Sequence, residues 1–143
     1  MIAQVKGWKI NLQVCYDLRF PVWSRQAPSP NLSPGGEEPA TEYDLLVYVA
    51  NWPERRNTAW KTLLQARAIE NQCYVVGVNR VGEDGNKINH TGDSMIIDPL
   101  GEILYQKANV EDVFTHTLNK EKLKEVREKF PFWKDADTFT ITG

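Results

Sequence analysis

Two short, almost unbroken apolar runs constrain the fold of this chain most strongly. They are DLLVYVA at residues 44–50 and CYVVGVNRV at residues 73–81. Such runs are typical of strands covered on both faces, as in a parallel or mixed inner sheet. Between them, apolar residues recur at roughly helical spacing, which predicts a helix that Asn57 or Thr58 caps and that ends near Asn71. Strand, helix and strand in this order favour an α/β or α+β fold with a layered sheet.

The N-terminal segment predicts another strand, over residues 8–15, because its side chains alternate between apolar and polar. One face carries Ile10, Leu12 and Val14, and the other carries Lys9, Asn11, Gln13 and Cys15. The chain opens almost inside this strand, and no preceding element is expected to pair with it. Residues 26–42 are rich in proline and glycine, which predicts a surface loop and not a separate domain.

The C-terminal third predicts three antiparallel strands, a charged helix and an aromatic tail. The strands are expected at residues 94–98, 102–105 and 112–118, and the helix at residues 120–129. The tail is too aromatic for a free terminus, so we expect it to dock on something, such as a second subunit. Its aromatic residues are Phe130, Phe132, Trp133 and Phe139. All 143 residues are interpreted as one domain or as part of one.

The composition excludes several classes of function. A net charge of −2 and a pI of about 5.7 argue against a nucleic-acid partner, which requires a basic face. No apolar run reaches the ~18 residues of a membrane span, and no leader marks the chain for secretion. Two distant cysteines form no disulfide framework, which favours a reducing cytoplasm. No metal is expected, because neither the cysteines nor the two histidines have partners at ligand spacing.

The two cysteines have opposite settings. Cys73 begins an apolar strand after a helix, which is typical of a structural thiol. Cys15 also has a structural interpretation, because free cysteines are often buried. However, it lies on the polar side of its strand, at the strand end, where the chain must turn through Tyr16 and Asp17. A strand-to-helix turn exposes a side chain, so Cys15 is also a candidate nucleophile.

The motifs around this cysteine resemble those of the nitrilase superfamily, the carbon–nitrogen hydrolases. The matching stretches are GWKINLQVCYDLRFPVWSR, YDLLVYVANWPERR, RAIENQ, VVGVNRVG, TGDSMIIDPLGEIL and VREKFPFWKDAD. They are most similar to the bacterial omega-amidase branch, which hydrolyses the terminal amide of short dicarboxylic monoamides. The resemblance implies the C-terminal half of a four-layer α-β-β-α sandwich, no cofactor, and a homodimer or higher assembly.

The resemblance also implies roles for individual residues. Cys15 matches the catalytic cysteine, which forms a thioester with the acyl group of a small amide. The backbone N–H of Tyr16, with a family lysine, matches the oxyanion site. Asn51 and Trp52 match the wall of the substrate pocket. Four further residues are interpreted as scaffold: Arg19, Arg67 and Glu70 as ion pairs, and Asn79 as a tie between a strand end and a loop. Asp17 is expected to orient the turn.

The family's catalytic Glu and Lys lie upstream of the cysteine strand, and no position here matches them. Lys9 cannot replace the lysine, since six residues of strand place it ~20 Å from Cys15. Glu54 follows the NWP motif and is a weak substitute for the base. Three explanations stay open: a fragment, a second chain that supplies the missing half, or a truncated gene. A non-catalytic assembly module is therefore the alternative function.

Overall fold

The computed structural model describes residues 1–26 and 41–137. Most of the predicted Pro/Gly-rich loop, and Phe139 of the tail, lie outside the described residues. The described residues form a seven-stranded sheet with helices. Its strands are β1 (Ile2–Val5), β2 (Trp8–Val14), β3 (Leu45–Ala50), β4 (Tyr74–Asn79), β5 (Val81–Glu83), β6 (Asn89–Ile97) and β7 (Ile103–Ala108). The helices are α1 (Pro21–Ser24), α2 (Asn57–Asn71) and α3 (Lys120–Lys129), with 3₁₀ turns at Cys15–Arg19, Glu54–Arg56 and Phe132–Asp135.

The sheet is mixed, with a parallel centre. β2, β3 and β4 are parallel neighbours, while β1 pairs antiparallel with β2, and β6 pairs antiparallel with β4. The two apolar runs are therefore adjacent parallel strands joined by α2, which confirms the α/β class. Parallel pairing needs such a crossover, because a tight turn can only join antiparallel strands.

Helix α2 covers one face of the sheet. It approaches β4 so closely that a Cβ on Gly77 would lie 2.4 Å from Cδ1 of Leu64 and 2.9 Å from Trp60. Any larger residue here would force the Leu64 and Trp60 side chains to move. The core under the helix includes Leu46, Tyr48, Trp60, Leu64, Val75, Met95 and Ile97. The helix ends where Gln72 adopts a left-handed conformation with φ of 44°. The predicted cap was wrong: Asn57 is the first helical residue, and its side chain donates to Asp93.

The opposite face of the sheet is open in the described chain. Leu12, Val14, Val49 and Val78 are 43%, 66%, 57% and 47% exposed. The apolar side of β2 thus points away from α2, and Asn11 on the polar side is buried instead. Burial of such a face would be favourable by roughly 25 cal/mol for each Å² of apolar area removed from water.

Two predictions about individual strands were wrong. A strand does precede β2: β1 pairs with it through a turn at Lys6 and Gly7, which have φ of 47° and 80°. The sequence contains no strong hairpin dipeptide at this turn, so the pairing was missed. Residues 112–118 form no strand, since no described strand pairs with them. Phe114 instead stacks on Tyr105, with ring centroids 3.9 Å apart.

The last helix is fixed to the sheet by a buried arginine. Arg127 is 4% exposed, and its guanidinium contacts Asp44 at 3.2 Å and donates to the carbonyls of Tyr43 and Gln72. The aromatic tail then packs beside the C-terminal end of α2. The Gln72 side chain donates to the Phe130 carbonyl at 2.7 Å, which fixes the start of the tail, whereas Phe132 is 63% exposed.

Candidate active site

The carboxyl ends of three parallel strands meet at one edge of the sheet. In the register, Val14 of β2 lies beside Val49 of β3, and Ala50 of β3 lies beside Asn79 of β4. Cys15 directly follows β2, and Asn51 directly follows β3. The sheet therefore brings Cys15, Asn51 and Asn79 to the same edge, which is where α/β sheets bind ligands.

Cys15 has an unusual backbone conformation. It begins the 3₁₀ turn Cys15–Arg19, here called the elbow turn, with φ of 41°. A residue other than glycine pays roughly 1–3 kcal/mol for such a conformation, which persists only where the surroundings enforce it. The side chain is half-buried at the margin of the core. A strand that ends in a strained residue and continues into a helical turn has the geometry that presents a nucleophile at a sheet edge.

Contacts on both sides hold the elbow turn. The backbone N–H of Val14 donates to Oδ2 of Asp17 at 2.9 Å, which confirms that Asp17 orients the turn. The Leu18 side chain is fully buried, and its carbonyl accepts a hydrogen bond of 2.7 Å from Nη2 of Arg67. The turn is therefore fixed to both its own strand and α2.

Tyr16 is the second residue of the elbow turn. Its ring is 62% exposed and packs edge-on against Phe20, with centroids 5.3 Å apart. The N–H groups in the first turn of a helix have no acceptor within that helix. The position of the Tyr16 N–H is thus compatible with an oxyanion contact beside Cys15, and that role stays a prediction.

Asn51 is exposed at the carboxyl edge of the sheet, whereas Trp52 is buried. Asn51 is exposed and lines a cavity of about 810 Å³, which lies over the open face of the sheet. The Trp52 side chain is 3% exposed, and its indole N–H donates to the Arg56 carbonyl at 2.8 Å. Asn51 therefore remains a candidate contact for a small molecule, whereas the Trp52 side chain lies beneath the edge. Cys15 is not among the residues that line this cavity.

The strand-end loops are tied together by Asn79 and Arg19. The Asn79 amide accepts from the Trp52 N–H at 2.7 Å and donates to the carbonyls of Trp52 and Gly92, which confirms its predicted role. Arg19 lies over the Trp52 ring, 4.9 Å from its centroid. It thus connects the elbow turn to the loop after β3 through a cation–π contact.

Of the residues predicted to form ion pairs, Arg67 and Glu70 do so, whereas Arg19 makes a cation–π contact and no ion pair with the described residues. Arg67 and Glu70 contact at 2.9 Å, and Arg67 is 3% exposed. Lys9, which strand geometry excludes as a substitute for the catalytic lysine, and Glu54, the weak candidate for the base, have contacts elsewhere. Lys9 donates to the Thr41 carbonyl, and Glu54 accepts from Asn89. Neither contact directs its side chain to Cys15.

Cys73 has the setting of a structural thiol. It is fully buried in the core, and burial raises its pKa to about 12. At neutral pH such a thiol stays protonated and unreactive. Its prediction as a structural residue agrees with this geometry.

The two histidines of the chain make local contacts. His90 is buried with Nδ1 3.3 Å from the Gly82 carbonyl, and His116 lies beside Phe114. Within residues 1–26 and 41–137, no three His, Cys, Asp or Glu side chains come together as metal ligands. None of the described helices has the length and apolar character to span a membrane.

Sequence reasoning missed Asp93, which organises the start of α2. The Asp93 carboxylate accepts from Thr91, Gln106 and Asn57 at 2.7, 2.8 and 2.6 Å. Burial alone would raise the pKa of Asp93, but these hydrogen bonds outweigh it, so the pKa lies below its usual range. The GDS motif contains this residue, yet nothing in its spacing indicates partners on two other elements.

Comparisons with known proteins place this geometry in a family context. The family model described as Carbon-nitrogen hydrolase matches residues 1–128. The chain is 49% identical to omega-amidase YafV of Escherichia coli, over 99% of this chain and 50% of that protein. It is 34% identical to 2-oxoglutaramate amidase of Bacillus subtilis, over 92% of this chain and 46% of that protein.

A solved structure gives the same result for the fold. A CN-hydrolase superfamily protein from Xanthomonas campestris, which carries an arsenic adduct in its active site, superimposes with a TM-score of 0.92. It is 47% identical and covers 99% of this chain and 52% of its own length. The chain therefore spans about half the length of the relatives that it matches.

Proposed function

Since this chain belongs to the carbon–nitrogen hydrolase family, we propose that it is the nucleophile-bearing half of an omega-amidase-like hydrolase. In this proposal, residues 1–143 are the C-terminal part of the hydrolase domain, and Cys15 attacks the terminal amide of a short dicarboxylic monoamide. The name of the Escherichia coli relative supports this substrate class. The assignment of the reaction to this chain rests on the position of Cys15.

The single observation that carries the proposal is the left-handed conformation of Cys15 at the carboxyl edge of the parallel strands. A structural cysteine has no need of a strained backbone, since it fills space equally well in an ordinary strand. A nucleophile benefits, because the turn presents its Sγ at the edge and places the next backbone N–H groups nearby.

The proposed reaction has two steps. The general base takes the thiol proton of Cys15, the thiolate adds to the amide carbonyl carbon, and the negative oxygen is stabilised by the Tyr16 N–H. The C–N bond then breaks, and the leaving nitrogen receives the proton back from the base and departs as ammonia. The resulting thioester is attacked by water, which loses a proton to a general base, and the C–S bond breaks to release the carboxylic acid. Asn51 is proposed to contact the substrate from the neighbouring loop, with Trp52 as the buried support of that loop.

The general base and the oxyanion lysine are proposed to come from the part of the relatives' length that this chain does not span. The side chains considered as substitutes, Lys9 and Glu54, are engaged elsewhere. We therefore expect the chain to be inactive by itself. We further propose that the active form is cytoplasmic, as the cysteine content favours, and that it is a homodimer or larger assembly, as the family resemblance implies.

A matched pair of variants tests the activity. We expect the chain, co-expressed with the part of the hydrolase domain that it does not span, to release ammonia from succinamate. Cys15→Ala should lower this rate by at least ~10³-fold, since the covalent route is lost. Cys73→Ala also removes a thiol, but from a buried site away from the elbow turn. This variant should retain most of the activity of the folded enzyme. Equal activity of the two variants would refute the proposal.

A non-catalytic assembly module is the alternative function, and one observation favours it. The open face exposes Leu12, Val14, Val49 and Val78, which is typical of a surface that another polypeptide covers. If the complete assembly forms but wild-type protein releases no ammonia from succinamate, N-carbamoyl compounds or nitriles, this alternative is supported.

A further inference from the structure

A buried arginine on α2 contacts the turn that carries the candidate nucleophile. We propose that Arg67 is a positioning residue, which holds the elbow turn so that Cys15 keeps its left-handed backbone. The inference rests on the proposed function, since it assigns a role in presenting the nucleophile. Arg67 lies 52 positions after Cys15 in the sequence, and only the fold brings them into one network.

The contacts of Arg67 connect α2 with the elbow turn. Its Nη2 donates to the Leu18 carbonyl at 2.7 Å, and its Nη1 pairs with Glu70 Oε1 at 2.9 Å. Burial raises the pKa of Tyr48 on β3, while its electrostatic interaction with Arg67 acts in the opposite direction. The guanidinium is thus held between α2 and the elbow turn, and Arg67 is 3% exposed.

A charged donor is well suited to hold this turn. Leu18 is three residues after Cys15, so its carbonyl belongs to the same short turn. A hydrogen bond from a guanidinium is stronger than one between neutral groups. The Asp17 contact fixes the turn to β2, and the Arg67 contact fixes it to α2. With both in place, the turn cannot relax toward an ordinary conformation at Cys15 without breaking one of them.

The chain contains a matched control in Arg127. This arginine is also buried, at 4% exposure, and also pairs with a carboxylate and donates to backbone carbonyls. Its partners Tyr43, Asp44 and Gln72 lie at the entry to β3 and at the end of α2, and none belongs to the elbow turn. Loss of either arginine should destabilise the fold, but only Arg67 should affect Cys15.

The kinetic experiment compares Arg67→Met, Arg67→Lys and Arg127→Met in the succinamate assay, each normalised to the folded fraction. We expect Arg67→Met to lower kcat by about tenfold with KM nearly unchanged, as for the loss of one charge-assisted hydrogen bond. Arg67→Lys retains a cationic donor and should recover part of kcat. Arg127→Met should leave both constants near their wild-type values. If Arg67→Met does not fold, Arg67→Lys is compared with Arg127→Lys, and an equal kcat for these two variants would contradict the inference.

Alkylation of Cys15 by iodoacetamide provides a readout that does not depend on the substrate. Arg67→Met should slow it by about tenfold relative to Arg127→Met. Equal rates in these two variants, with a fast wild-type Cys15, would overturn the role of Arg67 and leave the proposed function intact. A wild-type Cys15 that reacts no faster than Cys73 would instead refute the nucleophile, and the inference would fail with it.

Discussion

The two cysteines of this chain show how the fold gives one residue type two settings. Cys15 lies at the exit of β2, half-buried, with φ of 41° and with contacts that hold its turn from both sides. Cys73 lies at the entry to β4, fully buried, and burial raises its pKa to about 12.

The difference lies in the position along the strand and not in the neighbouring residue types. At the entry to a parallel strand the chain arrives from a covering helix, so a small side chain there is enclosed by the core. At the exit the chain must leave the sheet through a turn, and this edge is where ligands gain access. Two similar thiols therefore acquire different burial and backbone conformation from the direction in which the chain runs.

Thiol labelling should separate the two sites by the largest factor. We expect Cys15 to react with iodoacetamide faster than Cys73 by on the order of 10³-fold near neutral pH, because burial and the raised pKa deprive Cys73 of its thiolate. Mass spectrometry of the two peptides measures both rates in one sample. Slow labelling of both cysteines in the folded chain would remove the contrast and support the assembly module.

The alkaline stability of the protein should depend on Cys73. Its thiol pKa rises from 9.0 to about 12 on folding, so above pH 9 the unfolded chain loses a proton that the folded chain keeps. The contribution of Cys73 to stability is full below pH 9 and is lost as the pH rises toward 12, by up to ~1.4 kcal/mol per pH unit. Urea unfolding of the wild type and of Cys73→Ala across this range checks the difference. Parallel pH curves for the two proteins would show that Cys73 is not buried in this way.

The smallest expected effect concerns the backbone at Cys15. Cys15→Gly should be more stable than Cys15→Ala by ~1 kcal/mol, because glycine adopts a positive φ without steric cost. The free energies of unfolding of the two variants measure this strain directly. The reverse order would show that Cys15 does not hold a left-handed conformation in solution.

Local patterns predicted the main strands and helices because their signals lie within short stretches. The runs at residues 44–50 and 73–81 became β3 and β4, and the helices over residues 57–71 and 120–129 match the predictions. The error at residues 112–118 has a different cause: alternation shows that a segment suits a strand, but a strand also needs a neighbour with which to pair. The missed β1 has the same cause, since its pairing was decided by a turn with positive φ at Lys6 and Gly7.

For the candidate site, the sequence by itself determined that Cys15 stands where a strand ends and that family motifs surround it. Only the tertiary structure decided that Asn51 and Asn79 share this edge, that the Trp52 side chain is buried, and that Arg67 donates to the Leu18 carbonyl. The physical reason is the separation along the chain over which each kind of interaction acts. Periodicity and turn chemistry act between residues a few positions apart, whereas a hydrogen bond across 49 positions exists only after packing has brought its two atoms together.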